Sequence, residues 1–161
     1  MANQFNALEI FKIAMNVEKE GKEFYKKCVE VNSEPEVKEL FKRLETDEEE
    51  HYQYFKELLE EFDKADRSIT RDYLYNEQVN NYLKTLVDTK VFPKDETVTD
   101  DIARNLKEAL EVGIKAEKNS LLLYNELIGV EKNEKTIEAL KKLINEEKEH
   151  LVELKNLHET M

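Results

Sequence analysis

Only three glycines, two prolines and one cysteine occur among the 161 residues, and there is no tryptophan. So little glycine and proline leaves few places for tight turns. That excludes sandwiches and barrels and favours long, uninterrupted helices. A single cysteine, Cys28, cannot close an intrachain disulfide, and there is no Cys-x-x-Cys pair to build a zinc or rubredoxin-type iron centre. Cys28 reads as a small core residue rather than a redox thiol. No apolar run is long enough to span a bilayer, and nothing near Met1 reads as a signal peptide, so a cytoplasmic protein is the expectation. Positive charge is also scarce, with 25 Lys and Arg against 37 Asp and Glu and a net charge of −12. That balance argues against nucleic acid as the main partner and against a basic, membrane-adsorbing face. The length suffices for one domain with a real core, and no Gly/Ser-rich linker divides it, so 1–161 reads as a single domain.

What is present is helical periodicity. Four segments carry it, at about 7–31, 34–63, 99–128 and 134–158. Their apolar stripes run through Leu8, Phe11, Met15 and Val29; Val37, Phe41, Leu44, Phe55, Leu58 and Phe62; Leu106, Leu110 and Leu127; and Ile137, Leu140, Ile144, Leu154 and Leu157. Ser33 with Glu36 reads as a capping box opening the second segment. Gly129 reads as the stop of the third, and Asn133 as the cap of the fourth. The links within the first and last pairs are a few residues long, which makes antiparallel neighbours. The 64–98 connection is long enough to return the chain along the bundle, so the second and third helices run parallel. It holds a helix near 72–88 with Tyr75, Val79, Tyr82 and Leu86 on one face, and Pro93 ends that region. These aromatics read as packing against the bundle in preference to forming a substrate lid or partner surface. The expected fold is all-α, a four-helix bundle of two antiparallel pairs with a long crossover containing an extra helix.

The stripes contain residues that do not belong in a plain core. AMNVEKEGKEFY (14–25) aligns with GIKAEKNSLLLY (113–124), and EEEHYQYF (48–55) with EKEHLVEL (147–154). Each half thus places one Glu on its first stripe, Glu18 or Glu117, and a Glu-x-x-His pair on its second, Glu48/His51 or Glu147/His150. Residues three apart share a helix face, so each pair aims two side chains inward together. The four Glu lie between 12 and 15 residues from their inter-helix links. At about 1.5 Å per residue they stand within one turn of the same level. Four buried carboxylates cannot stay ionised without compensation. Two divalent cations supply that charge with both histidines neutral, and oxygen and imidazole donors suit iron or manganese. The competing reading is a metal-free structural bundle. Of the neighbouring acids, Glu49 and Glu50 read as solvated charge, and Asp47 lies at the flank of the stripe, where it either supports a ligand or does nothing at the site. His158, in the last turn of the last helix, reads as a partner of the helix dipole. Small residues around the stripe acids (Ala14 and Gly21, Gly113 and Ser120) either leave room for O2 or peroxide or simply allow close helix packing.

This constellation, one Glu from each of two helices and a Glu-x-x-His from each of the other two, resembles the ferritin-like diiron-carboxylate superfamily and is most similar to rubrerythrin-type proteins. The resemblance covers the four bundle helices and leaves out the crossover. It implies two iron ions, with manganese or a mixed pair as alternatives, held by Glu18, Glu48, His51, Glu117, Glu147 and His150, with Glu48 and Glu147 bridging. It also implies that Tyr25 and Tyr124, each seven residues after a stripe Glu, orient ligand carboxylates; the plainer reading makes them core tyrosines whose hydroxyls need a partner. No separate acid or base is implied.

Three departures qualify the resemblance. The four-cysteine rubredoxin centre of rubrerythrins proper is missing, so electrons have to come from a separate, rubredoxin-like donor. The extra Glu those proteins carry one turn after the third-helix ligand is Ser120 here, with Gly21 as its mirror. The crossover is also longer than theirs. The haem-ligating Met of bacterioferritins has no counterpart, since the methionines are Met1, Met15 and Met161, so no haem is expected. The resemblance implies an oxidoreductase reducing O2 or H2O2 in the setting of oxidative stress, working as a homodimer or small homo-oligomer. Alternatives are a ferroxidase or iron storage or delivery protein, and a non-enzymatic bundle stabilised by metal.

Overall fold

The computed structural model describes residues 7–64, 77–88 and 91–161. It contains helices α1 (Ala7–Val31), α2 (Pro35–Lys64), α3 (Glu77–Asp88), α4 (Glu96–Arg104), α5 (Leu106–Val130) and α6 (Glu134–Glu159), with no strand among the described residues. None of these helices is long and apolar enough to cross a membrane.

The two most extensive helix–helix packings are α1 on α2 and α5 on α6, the pairs joined by three-residue links. Side-chain bonds fix how the pairs meet. Tyr25 reaches Glu117 while Tyr124 reaches Glu18, so α1 and α5 run antiparallel. Asp47 meets His150 while His51 meets Glu146, so α2 and α6 do the same. It follows that α2 and α5 run parallel, as the long crossover requires.

The bundle interior is layered. One apolar cluster joins Ile10, Phe11, Phe55, Leu59, Leu127 and Leu140. A second joins Phe24, Cys28, Val37, Phe41, Leu110 and Leu154. Between them lies a layer of buried Glu and His. Cys28 is fully buried, and burial pushes its thiol up to about 12, as suits a core residue.

The caps depart from expectation at three points. First, α2 starts at Pro35, and Lys38 N–H donates to the Glu34 carbonyl. Glu34 therefore holds the cap position and Pro35 the first helical one, where its missing N–H costs nothing; Ser33 lies one residue too early for the capping box. Second, the third bundle helix is not continuous from 99. Asn105 leaves helical geometry (φ −95°, ψ 100°), caps the end of α4 with its N–H and caps the start of α5 with its side chain. An asparagine amide competes for backbone partners in this way. The separate α4, opened by the Asp95 side chain on Thr97 and Val98, packs against α1. Third, Gly129 does not end α5, which continues to Val130 with an extended Glu131 as its cap. The expected Asn133 cap is present, accepting from Lys135 and Thr136 N–H.

In the crossover helix the inward face is also different. Leu83 and Leu86 are buried, whereas Tyr82 is 37% exposed. Tyr75 lies outside the described residues, as do the side chains of Val79 and Phe62.

Gly129 is a helical residue with open space where a Cβ would stand. Gly129→Ala should therefore stabilise the protein by about 0.5–1 kcal/mol, read as a raised urea midpoint with unchanged slope; a lowered midpoint contradicts this assignment.

Candidate metal centre

The polar layer is built by sequence period. Glu18 on α1 and Glu117 on α5 occupy inward positions between apolar turns, and the Glu-x-x-His pairs of α2 and α6 turn both members of each pair inward. All six side chains are between 0% and 3% exposed. They form two groups, Glu18–Glu48–His51–Glu147 and Glu48–Glu117–Glu147–His150, and within each group the candidate ligand atoms lie within 4.8 Å of one another. Glu48 and Glu147 belong to both. The layer is thus two four-residue clusters fused along a shared pair of carboxylates.

Residue for residue the second cluster repeats the first 99 positions later: Glu18 and Glu117, Tyr25 and Tyr124, Asp47 and Glu146, Glu48 and Glu147, His51 and His150. The tyrosines cross over, Tyr25 donating to Glu117 Oε1 at 2.8 Å and Tyr124 donating to Glu18 Oε1. Burial first, and the nearby Glu117 and Glu48 carboxylates next, hold Tyr25 well above the ordinary phenol range, so it remains a donor. Each tyrosine occupies one oxygen of its partner and leaves the other turned to the centre.

The histidines are held from behind in the same crossed fashion. His51 Nε2 stands 2.6 Å from Glu146 Oε2, and His150 Nε2 stands 2.8 Å from Asp47 Oδ2. A carboxylate at Nε2 fixes the ring proton there and leaves the Nδ1 lone pair to face the cluster. Asp47, for which the sequence left open a supporting role at the flank of the stripe, is therefore a support for His150. Glu146 was not singled out at all; the internal repeat, which aligns it with Asp47, contained the signal. Glu49 forms a surface pair with Lys22 at 2.9 Å, and His158 faces Glu111 at 3.2 Å, away from the cluster.

Charge decides what the layer can hold. Burial first, then neighbouring carboxylates, raises Glu18, Glu48 and Glu117 well above the usual carboxylate range. Glu147 goes the other way: burial and Glu48 push it up, but Glu117 and both imidazoles outweigh them. Burial alone would lower His51, yet the Glu147, Glu48 and Glu146 carboxylates raise it to about 9. His150 is raised for the same reason, chiefly by Asp47, Glu117 and Glu147 against the opposing effect of burial. Without a cation, then, three of the acids and both imidazoles hold a proton more tightly than the free groups do.

The donor atoms fit a metal pair. Glu18 Oε2, Glu48 Oε1, Glu117 Oε2, both oxygens of Glu147, and Nδ1 of both histidines are buried and make no hydrogen bond. His51 Nδ1 comes within 2.7 Å of Glu147 Oε1 and 3.4 Å of Glu18 Oε2, close but without forming a bond. Seven buried donor atoms left over on six residues would be a costly fault in an ordinary core. Facing one another, they are what a carboxylate- and imidazole-bound metal site requires.

Comparison with known proteins agrees with this geometry. The family model described as Rubrerythrin matches residues 9–158. A crystal structure from Thermotoga maritima, of a protein assigned to the ferritin-like diiron-carboxylate proteins, superposes with a TM-score of 0.75 at 27% identity, covering 98% of this chain and 97% of that one. No curated protein is significantly similar.

Two outcomes follow. Groups whose folded-state pKa is raised stabilise the fold below their unfolded values and lose that contribution as pH rises through the folded values. The chelated protein should therefore lose thermal stability from about pH 4.5 upward, with His51 completing its loss near pH 9, whereas metal affinity should rise across the same window as protons are released. Melting curves with and without chelator check this, and a chelated form with flat or rising stability there contradicts it. Separately, Glu146→Ala or Asp47→Ala should weaken metal affinity by about 10–100-fold, measured by chelator competition, while Glu49→Ala leaves it unchanged.

Proposed function

The chain belongs to the rubrerythrin family, and on that footing we propose that it is a non-haem diiron oxidoreductase acting on O2 or H2O2. One observation carries the reading: two Glu/His clusters fused through Glu48 and Glu147. Glu18 with His51 would hold one ion and Glu117 with His150 the other, with Glu48 and Glu147 shared. Carboxylate and imidazole donors without a thiolate suit iron or manganese, and iron is the metal proposed. An iron pair, when bound, supplies the redox change and an open position for a small oxidant.

The chain's own contribution is placement and exclusion of water. Apolar layers on both sides keep the site dry, which strengthens every charge interaction within it. Tyr25 and Tyr124 orient Glu117 and Glu18, and Asp47 and Glu146 orient the two imidazoles. No further side chain is assigned as acid or base. With one cysteine in the chain, electrons come from a separate donor such as a rubredoxin-like protein. Ser120 stands where rubrerythrins have an additional Glu, so any coordination change that depends on that carboxylate lies outside the proposal. The working form proposed is a cytoplasmic homodimer or small homo-oligomer.

Anaerobic Fe(II) titration followed by stopped-flow mixing with O2 or H2O2 tests the reading. The expected result is two irons per chain, rapid oxidation, and repeated turnover once a reductant is supplied. Glu18→Ala and Glu147→Ala should each bind less iron and oxidise it slowly. Fewer than two irons, or variants indistinguishable from the parent, contradict the site. Oxidised iron accumulating in a large hollow assembly supports storage instead, and metal that changes only stability supports a structural bundle.

A further inference from the structure

One side chain of the crossover, Phe92, borders three successive hollows. The outermost is an open cleft of about 370 Å³ between α1 and the chain leading into α4, with Glu20, Phe24 and Lys94 on its walls. The second is a partly open chamber of about 70 Å³ between α1, α3 and α5, walled by Val17, Leu86, Ala116 and Leu123 together with the polar Glu20 and Asn119. The innermost is a crevice bounded by Val17, Ala116, Ser120, Tyr25, Glu48 and Glu117 that leaves no room for a water-sized sphere. Phe92 packs against Phe24, ring centroids 5.4 Å apart, and remains only partly buried.

Gly21 brings this ring up to the metal centre. A Cβ at position 21 would stand 2.9 Å from Glu48 Oε2 and 3.7 Å from Phe92 Cζ. The ring contact is one that a Cβ would tolerate; it is the Glu48 carboxylate that takes the space a side chain at position 21 would fill, so carboxylate and ring tip meet beside the same turn of α1. The other glycine among the small residues near the stripe acids behaves differently. A Cβ at Gly113 would press on Leu154 at 3.1 Å and the Tyr25 hydroxyl at 3.3 Å, which is close helix packing. Two acids that line the crevice, Glu48 and Glu117, are 3% and 2% exposed and each carries an oxygen without a hydrogen bond. On the α2/α6 side a hollow of about 200 Å³ has the hydrogen-bonded His51 and Glu146 in its wall.

We propose that Phe92 governs entry of the oxidant, admitting a diatomic-sized molecule from the chamber to the Glu48/Glu117 crevice and excluding organic substrates. The size limit comes from the crevice. The chamber, at about 70 Å³, has room for O2 or H2O2, whereas the crevice between Phe92, Glu48 and Glu117 has no room even for a water-sized sphere until the ring moves. Rotation of the Phe92 ring away from Gly21 joins the chamber to the crevice, and its return closes the site to bulk water. The identity of the incoming molecule rests on the diiron reading, whereas the route does not.

Two measurements test this separately. In metal-free crystals under xenon, the parent should hold xenon in the chamber, Phe92→Ala should add density beside Gly21, and Phe92→Trp should lose the chamber atom. In Fe(II)-loaded protein, nitric oxide, used as a neutral diatomic probe, should bind about ten times faster in Phe92→Ala than in the parent and more slowly in Phe92→Trp, with the same final extent. Equal binding rates in all three proteins, or xenon absent from the chamber, overturn the route and leave the diiron reading standing. Failure to load iron overturns the diiron reading, and xenon occupancy then decides the route alone.

Discussion

Four carboxylates in a dry layer of a helical bundle repel one another, and the rest of the structure is arranged around the need to offset that repulsion. Glu18, Glu48, Glu117 and Glu147 are at most 3% exposed, so water does little to screen them. Without a cation the repulsion and burial hold three of the acids well above the usual carboxylate range, and the surrounding acids raise both imidazoles. Two divalent ions provide the compensation with the acids ionised and the histidines neutral. The two apolar clusters hold the layer at fixed height, and the crossed tyrosines and crossed acid–histidine pairs fix where each donor atom points. Helices this long and this free of glycine and proline are what keep six side chains, spread over 133 positions from 18 to 150, in one plane.

Internal symmetry accounts for most of the centre, and its breakdown accounts for access. The 99-residue offset relates every ligand candidate and every supporting residue in the layer, so each half-site is completed by the other half of the chain. The crossover has no such partner. It brings Phe92 to one side of the α1/α5 seam, beside Gly21 and the Glu48 carboxylate that packs against that glycine. A duplicated scaffold thus provides the site, and an unduplicated insertion limits what reaches it.

Much of this was legible in the sequence because helix period and repeat are local signals that tertiary packing reinforces. The positions of Glu18, Glu48, His51, Glu117, Glu147 and His150 follow from stripes and link lengths, and the structure brings all six together. What escaped depended on competition at single residues. Asn105 interrupts a periodic segment because its amide caps in both directions. Gly129 lies one residue short of the helix end and stops nothing. Ser33 yields the cap to Glu34 because Pro35 takes the first helical position. In α3 the choice between Leu83 and Tyr82 as the inward residue is a rotation of one position, which period alone does not determine in so short a helix. Phe92 acts across the fold, on a residue 71 positions away, and no local pattern reports such a contact; Glu146, 95 positions from His51, was recoverable only through its alignment with Asp47 in the repeat.

The central claim is that the fused clusters bind two metal ions through shared carboxylates. Anomalous diffraction at the iron edge, from crystals loaded anaerobically with Fe(II), tests it most directly. The account predicts two iron peaks per chain, one between Glu18 and His51 and one between Glu117 and His150, each within coordination distance of Glu48 and Glu147. A single peak, or iron bound only at surface acids with the layer still protonated, would contradict it.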